Sequence, residues 1–260
     1  MRHSTLLALS LTALLAAGCT RQSATPEAAT PAATPEAAAM PAVAAETDEH
    51  SYAQPDTVKT TDLALDLAID FASKQIAGTA TYTLDWLDKA AMQLVLDTRD
   101  LTIDKIEGEA AGQWTPLQFA LAPADKTLGS KLTIETPARN AKVRVTYTTS
   151  PQASGLQWLE PSMTAGKKTP FMFSQSQQIH ARSWVPLQDT PRVRFTYTAH
   201  VTSPENAMVL MSADNDPKAA RDGDYTFAMP QKIPSYLLAI AAGDMVFEPI
   251  SARAGVWAEP

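Results

Sequence analysis

The sequence has little of the material that several classes of functional site require. It contains one cysteine, Cys19, so neither a disulfide framework nor a thiolate metal cluster can form within the chain. Its four histidines offer few ligands for a metal, and its ten glycines are scattered rather than gathered into a phosphate-binding loop. Basic residues number 21 against 28 acidic ones, and the net charge of −7 argues against a nucleic-acid partner, which needs a basic footprint.

The short motifs of common hydrolases are also missing. No G-x-S-x-G segment marks a serine nucleophile, and no histidine stands in an H-E-x-x-H pattern, which would place two zinc ligands one helical turn apart. A pair of cooperating carboxylates stays open as a possibility, because the spacing of the acidic residues singles out no pair. We therefore expect no catalytic residue and no metal ligand set in this chain.

The N-terminal residues have the pattern of an export signal. Arg2 precedes an apolar run from Leu6 to Ala17, which is shorter than the roughly 20 residues that span a bilayer. This predicts a signal peptide over residues 1–18. The small residues before Cys19 resemble the lipobox of bacterial lipoproteins, although Ala16 stands where that pattern usually has leucine. The resemblance implies lipidation of Cys19, a membrane anchor and an exported protein of the bacterial cell envelope, and ordinary signal cleavage is the alternative.

Residues 19–49 are predicted to form a disordered tether. They are rich in alanine, proline, threonine and glutamate, and the six-residue unit at Ala24 recurs at Ala33. Such a stretch has little apolar bulk to bury, and its prolines interrupt any continuous helix. The folded domain is then predicted over residues 50–260.

The domain itself shows a period of two, which is typical of strands with one buried face. Leu63, Leu65, Leu67 and Ile69 alternate with polar or small residues, and a hairpin at 72–75 is predicted to join this strand to the next. Strand-like segments recur every 8 to 15 residues and predict an all-β, multi-sheet sandwich. The predicted strands are 58–71, 76–84, 92–96, 101–106, 114–121, 131–135, 141–148, 192–201, 207–212, 225–229 and 236–242.

Two segments fall outside this regular pattern. Residues 151–169 are predicted to form a long loop or a short helix, with Trp158 as an apolar anchor. The chain then ends at Pro260 within an apolar–polar alternation, and we interpret this as an interrupted protein that lacks a second domain.

One polar segment, from Phe171 to Pro186, stands out among the strands. Gln175 and Gln177 are two residues apart and would share a face on a strand, and Gln178 follows them. Their amides could bind a peptide backbone or an ammonium group, since each amide offers a donor pair and an acceptor. On spacing alone, a solvated polar face is the simpler interpretation. His180 is interpreted as a packed, hydrogen-bonded histidine, and Arg182 as a partner for a neighbouring acid.

This segment resembles zinc aminopeptidases of peptidase family M1. The similarity runs through 171–182, 185–191 and 195–199, and continues in order through 211–213, 230–243 and 256–260. It covers about residues 55 to 260 and is nearest to the leukotriene A4 hydrolase branch and its bacterial relatives. The resemblance implies the saddle-like, all-β N-terminal domain of that family, which packs against a zinc-containing catalytic domain.

The resemblance also implies a function in removing N-terminal residues from peptides. In the family, the positions of Gln175 and Gln177 line the pocket for the first residue of the substrate, and Gln177 would help to hold its free amino group. Gln178 stands where the family usually has alanine, which changes the volume and polarity of that pocket. The family's zinc motif and its G-x-M-E-N motif are absent, so zinc is expected in the parent enzyme and no zinc or activity in this chain.

Two other functions compete with this one. A non-enzymatic, lipid-anchored β domain that binds peptides or a partner would lack the large exposed apolar patch of a domain separated from its catalytic half. A carbohydrate-binding sandwich would need a row of exposed aromatic residues, whereas the five tryptophans are scattered along the chain.

Overall fold

The computed structural model describes residues 47–204 and 206–260. The predicted signal peptide, Cys19 and most of the predicted tether lie outside the described residues. Within them, no helix is both long and apolar enough to cross a membrane. The strands up to residue 148 are β1 (Val58–Asp70), β2 (Gln75–Trp86), β3 (Gln93–Thr98), β4 (Thr102–Ala110), β5 (Gln113–Pro116), β6 (Phe119–Leu121), β7 (Ser130–Glu135) and β8 (Lys142–Thr148).

The second half of the domain contains shorter strands and three single-turn 3₁₀ helices. The helices are Pro161–Met163, Ala181–Ser183 and Ser235–Leu237. The strands are β9 (Leu156–Leu159), β10 (Phe171–Ser174), β11 (Arg194–Thr202), β12 (Met208–Met211), β13 (Asp224–Pro234), β14 (Ile240–Gly243), β15 (Val246–Ser251) and β16 (Ala254–Ala258). The all-β, multi-sheet class predicted from the sequence is confirmed.

The largest sheet has seven strands in the order β13-β11-β1-β2-β8-β4-β5. The predicted hairpin between β1 and β2 forms, with Leu65 opposite Ala80. On its other edge β1 pairs in parallel with β11, in a register that sets Leu65 opposite Ala199. This parallel pair joins the two halves of the domain within one sheet.

Three smaller sheets complete the fold. One has the order β12-β14-β10-β9, a second has the order β3-β7-β6, and the third is the hairpin β15-β16. The central strand β10 of the first small sheet carries the chain into the polar segment around Gln177. The position of that segment is therefore fixed by β9 on one side and β14 on the other.

One apolar core connects these sheets. Leu63 and Leu67 of β1, Leu94 of β3 and Met172 of β10 are almost fully buried in the same cluster. Alternation along β1 and β11 places one face of each strand in this core, as the period of two predicts. Each such aliphatic side chain stabilises the fold by about 1.5–3 kcal/mol relative to an exposed one.

Several predicted boundaries are wrong. The segment 114–121 forms two strands in different sheets, because Pro116 ends β5 and β6 pairs with β7 instead. Residues 151–169 were predicted as a long loop or a short helix. They contain a short 3₁₀ helix, Pro161–Met163, but Leu156–Leu159 forms β9, in which Trp158 pairs with Met172. The segment 236–242 begins in a 3₁₀ helix, and its strand starts only at Ile240. Neither strand of the hairpin β15-β16 was among the predicted strands.

Candidate functional site

The polar segment begins where β10 ends. Ser174 is the last residue of the strand, and its Oγ accepts a hydrogen bond from the Ile240 amide at 2.9 Å. Gln175 and Gln177 therefore lie in the turn that follows rather than on a strand. Both are exposed and Ser176 between them is buried, so the outward position of the two glutamines agrees with the spacing.

The buried side chain of Ser176 holds the turn that carries Gln175 and Gln177. Its hydroxyl donates to the Leu238 carbonyl at 2.6 Å and accepts from the Trp184 indole N–H at 3.1 Å. Its carbonyl accepts from the His180 amide at 2.9 Å. Because the Ser176 hydroxyl and the indole of Trp184 are buried, these bonds are shielded from water and hold the turn in one position.

Gln177 and Gln178 line an open cavity of about 490 Å³. Its wall also contains Asp48 and His50 from the start of the described chain, Arg192 from the segment before β11, and Tyr236 from the last 3₁₀ helix. Gln175 does not line this cavity, so the structure brings together only two of the three predicted glutamines. The peptide bond between Gln177 and Gln178 is cis.

The amides of the two glutamines are free to bind a ligand. Neither side chain makes a hydrogen bond to another part of residues 47–204 and 206–260, and both are exposed. Each offers an N–H₂ donor pair and a carbonyl acceptor. The cavity wall thus presents unused hydrogen-bonding groups to whatever enters it.

A fully buried arginine lies beneath the site. Arg182 Nε donates to Asp189 Oδ2 at 3.0 Å, and Arg182 Nη1 is 3.8 Å from Asp97 Oδ1. All three side chains have no exposed surface. The interpretation of Arg182 as a partner for a neighbouring acid is confirmed, and it has two such partners. Burial of this kind is tolerated only when the charges compensate each other and their hydrogen bonds are made.

The same cluster attaches the start of the domain to the cavity. Asp97 accepts from the Ser51 hydroxyl at 2.5 Å and from the Tyr52 amide at 2.7 Å. Arg182 Nη2 donates to the His50 carbonyl at 2.8 Å. Burial raises the pKa of Asp97, and Arg182 with the hydrogen-bond donors opposes that increase. These contacts explain why Asp48 and His50 stand in the wall of a cavity formed by residues far along the chain.

The other walls are held by Asp189 and Gln188. Asp189 Oδ1 accepts from the Ser235 hydroxyl at 2.6 Å, which fixes the short helix that carries Tyr236. Gln188 Oε1 accepts from the Thr60 amide at 2.8 Å, and its Nε2 donates to the Val58 carbonyl at 2.9 Å. β11 pairs with β1 only from Asp62 to Ala68. Before Asp62, the Gln188 side chain makes the hydrogen bonds to the β1 backbone that a neighbouring strand would otherwise make.

His180 has a structural environment, as the sequence suggested. Its Nδ1 lies 2.8 Å from the Ser154 hydroxyl and 3.2 Å from Arg99 Nη1. Burial, followed by the nearby Arg99 charge, lowers the pKa of His180. Since a guanidinium can only donate, Nδ1 accepts from Arg99, and the ring is neutral.

The described residues do not fit a zinc ion. Among residues 47–204 and 206–260, no three His, Cys, Asp or Glu side chains come together in a way that could hold a metal. No step of a reaction can therefore be derived from zinc at this site. Asp48 and Tyr236 were missed as wall residues because no local pattern connects them with Gln177, from which they are distant in sequence.

Comparisons with known proteins agree with this architecture. The model of the peptidase M1 N-terminal domain matches residues 50–237. Leukotriene A-4 hydrolase of Xenopus laevis is 36% identical over 222 residues, which is 82% of this chain and 36% of that protein. Leucine aminopeptidase 2 of Yarrowia lipolytica is 34% identical over 221 residues, covering 83% of this chain and 33% of that protein.

A solved structure shows the same fold. Yeast LTA4 hydrolase in complex with bestatin superimposes with a TM-score of 0.75 at 31% identity, over 85% of this chain and 34% of that one. The chain thus spans about a third of the length of the curated relatives that it matches. From the family match, the sequence identities and the shared fold, we conclude that this chain belongs to peptidase family M1, as its N-terminal domain.

Proposed function

We propose that this domain binds the N-terminal residue of a peptide. Gln177 holds the free amino group with Gln178 beside it in the cavity wall, and Gln175, outside that wall, contacts the same substrate residue. The observation that carries the proposal is that the amides of Gln177 and Gln178 stand in the wall of an open cavity, with no side-chain hydrogen bond to the described part of the chain. An ammonium group donates hydrogen bonds only, so the amide oxygens are its natural partners. The turn that carries these amides is held by Ser176, which reduces the entropy lost on binding.

Peptide titration of the isotope-labelled full chain, followed by amide NMR shifts, tests this proposal. The tripeptide Leu-Ala-Ala should shift the signals of Gln177 and Gln178, and N-acetyl-Leu-Ala-Ala should shift them much less because it has no ammonium group. Gln177→Ala should weaken binding of the free peptide. Gln113→Ala, on the exposed strand β5, is the control. Equal binding of the free and acetylated peptides would contradict the proposal.

We further propose that the parent enzyme is a zinc aminopeptidase of the bacterial branch of the family and that the zinc belongs to a catalytic domain outside this chain. The support is family membership together with the absence of a metal ligand set from residues 47–204 and 206–260. Reading the coding DNA beyond Pro260 is the direct test. In-frame G-x-M-E-N and H-E-x-x-H motifs are expected, and hydrolysis of a leucine substrate by this chain alone would contradict the assignment.

The hairpin β15-β16 provides a surface for that catalytic domain. Val246, Ile250 and Val256 are 42%, 74% and 46% exposed, while Phe247 and Trp257 pack against each other with ring centroids 5.3 Å apart. Three exposed aliphatic side chains on one hairpin are consistent with a surface that another part of the protein covers. A self-contained, non-enzymatic binding module has no need of this surface, so the hairpin favours the aminopeptidase assignment.

The N-terminal residues support a proposal about location. We propose that residues 1–18 direct export, that Cys19 is lipidated, and that the following tether holds the domain at a membrane of the bacterial cell envelope. Metabolic labelling with an alkyne-bearing fatty acid should mark the wild-type protein and not Cys19→Ala. Labelling of the variant, or its absence from wild type, would contradict lipidation at this position.

A further inference from the structure

We propose that Ser154 is a nucleophile for acyl transfer, with His180 as its general base and Arg99 as the donor that stabilises the oxyanion. The acyl group would come from a small activated carboxylic ester. None of the three residues lines the Gln177 cavity, and the inference does not rest on the peptide-binding function proposed above. No local sequence pattern reveals the site, since Ser154 and His180 are 26 residues apart.

The Ser154 hydroxyl is placed to give its proton to His180. Its Oγ lies 2.8 Å from His180 Nδ1, and Arg99 Nη1 lies 3.2 Å from each of these two atoms. Because a guanidinium only donates, both atoms accept from Arg99, and Nδ1 carries no proton. The hydrogen of the 2.8 Å contact is therefore the one that the hydroxyl donates to the imidazole. A serine bonded to its base in this way is the arrangement that activates the hydroxyl.

This hydroxyl–imidazole contact distinguishes Ser154 from the other serines and threonines. Among residues 47–204 and 206–260, no second serine or threonine hydroxyl is hydrogen-bonded to a histidine, and the ring of His200 is bonded to carboxylates instead. Burial, followed by the charge of Arg99, lowers the pKa of His180. The ring is therefore neutral at neutral pH and free to accept a proton.

The side chain of Ser154 is exposed, but the backbone around it is fixed. Gly155 next to it is buried, and its amide donates to Ser183 Oγ at 2.8 Å. That hydroxyl in turn donates to the His180 carbonyl at 2.8 Å. A Cβ at position 155 would lie 2.5 Å from the His180 carbonyl oxygen, so only glycine allows the two segments to come this close. The fold thus holds nucleophile and base together and leaves the hydroxyl open to a reactant.

Acyl transfer at this site takes place in two stages. Ser154 Oγ forms a bond to the carbonyl carbon of the ester while its proton passes to His180 Nδ1. Protonated Nδ1 no longer accepts from Arg99, whose Nη1 then donates to the oxyanion. The bond from the carbonyl carbon to the leaving group breaks, the leaving group departs with the electron pair, and the proton on His180 passes to it or to solvent. Water then hydrolyses the acyl-serine, again with His180 as base, and restores the hydroxyl.

Reaction of the full chain with p-nitrophenyl acetate tests the inference. Absorbance follows the release of p-nitrophenolate, and mass spectrometry of peptides locates the acetyl group. Within the described residues no carboxylate is hydrogen-bonded to the His180 ring, so the second stage should be slow and the acetyl-serine should accumulate. We expect a burst of about one equivalent per chain, with the acetyl group on Ser154. The exposed Ser162 is the internal control, and equal acetylation of the two serines would overturn the inference.

Variants assign the three roles. Ser154→Ala should abolish the burst, and Ser162→Ala should retain it. His180→Asn keeps a side-chain oxygen that can accept hydrogen bonds but removes the base, so acetylation of Ser154 should slow about a hundredfold or more. Arg99→Gln should slow it about tenfold or more through loss of the charged donor. A burst that survives Ser154→Ala, or an unchanged rate in a His180→Asn or Arg99→Gln chain whose amide spectrum shows the native fold, would overturn the role assigned to that residue.

Discussion

The guanidinium of Arg182 and the carboxylate of Asp189 form an ion pair with no exposed surface, 3.0 Å from Nε to Oδ2. The two residues lie seven positions apart and bracket the segment between the glutamine turn and β11. Through this pair and Asp97, the turn, the start of the domain and the helix carrying Tyr236 share one buried cluster. Its integrity therefore decides whether the cavity exists.

Replacement of Arg182 by methionine should destabilise the domain by about 3–5 kcal/mol, because Asp189 and Asp97 would lose their buried positive partner. Urea unfolding followed by tryptophan fluorescence measures this loss. Arg253→Met, at an exposed position between β15 and β16, is the matched control and should change stability by no more than about 0.5 kcal/mol. Similar midpoints for the two variants would show that the buried pair contributes little.

Gln188→Ala should remove two buried hydrogen bonds to β1 and cost about 1–3 kcal/mol, because the Thr60 amide and the Val58 carbonyl would lose their partner. Hydrogen exchange at the Thr60 amide should accelerate more than at amides in the centre of β1. Gln113→Ala, on the exposed strand β5, serves as the control. Unchanged protection of Thr60 would mean that Gln188 does not substitute for a strand.

Ser176→Ala should leave the Leu238 carbonyl and the Trp184 indole N–H without a partner, at a cost of about 1–3 kcal/mol. It should also weaken binding of Leu-Ala-Ala, since the glutamine turn loses its anchor. Ser162→Ala, at an exposed position, should do neither. A Ser176 variant with native stability and native peptide affinity would exclude the anchoring role.

His200 should make stability depend on pH. Its Nδ1 is 2.9 Å from Asp66 and its Nε2 is 3.2 Å from Asp224, and the bond to Asp66 is the main reason that its pKa is raised. A raised pKa means that the stabilising contribution is complete below the unfolded value of about 6.5 and is lost as pH rises through the folded value.

Asp66→Asn should bring the pKa of His200 down towards its ordinary value and reduce the loss of stability above pH of about 6.5. NMR titration of the imidazole carbons gives the pKa, and urea unfolding between mildly acidic and alkaline pH gives the stability. At alkaline pH, His200 should contribute nothing to the free energy of unfolding of either the wild-type protein or the Asn variant. Parallel pH profiles for the two proteins would contradict this assignment.

The strands were predictable where one face is buried, and less so elsewhere. Along β1 and β11 the alternation of Leu63 or Phe195 with polar neighbours reflects burial directly, and both strands were predicted. In 114–121 the residues of β5 and β6 are mostly exposed and show no alternation of buried and exposed positions, so the break at Pro116 was missed. For β9, which has only four residues, the sequence offered too few alternations to identify it.

The candidate site was predictable only in its local part. Gln177 and Gln178 are adjacent and belong to a segment that resembles a known family, whereas Asp48 and Tyr236 reach the cavity through long-range contacts. Those contacts depend on Arg182, Asp97 and Asp189. The residues next to them in the sequence do not indicate that these three charged side chains are buried. The separation of Gln175 from the cavity likewise follows from the end of β10 at Ser174, which spacing alone does not locate.

The parallel pairing of β1 with β11 has a consequence for the order of assembly. Asp62 and Thr196, which are bonded across this pair, are 134 residues apart in the chain. At a synthesis rate of about 5–20 residues per second, the partner of β1 leaves the ribosome about 7 to 27 seconds after it. Until then the hairpin β1-β2 has an open backbone edge in the middle of the future sheet. Closing so long a loop is slow, so a nascent chain is most exposed to aggregation at β1.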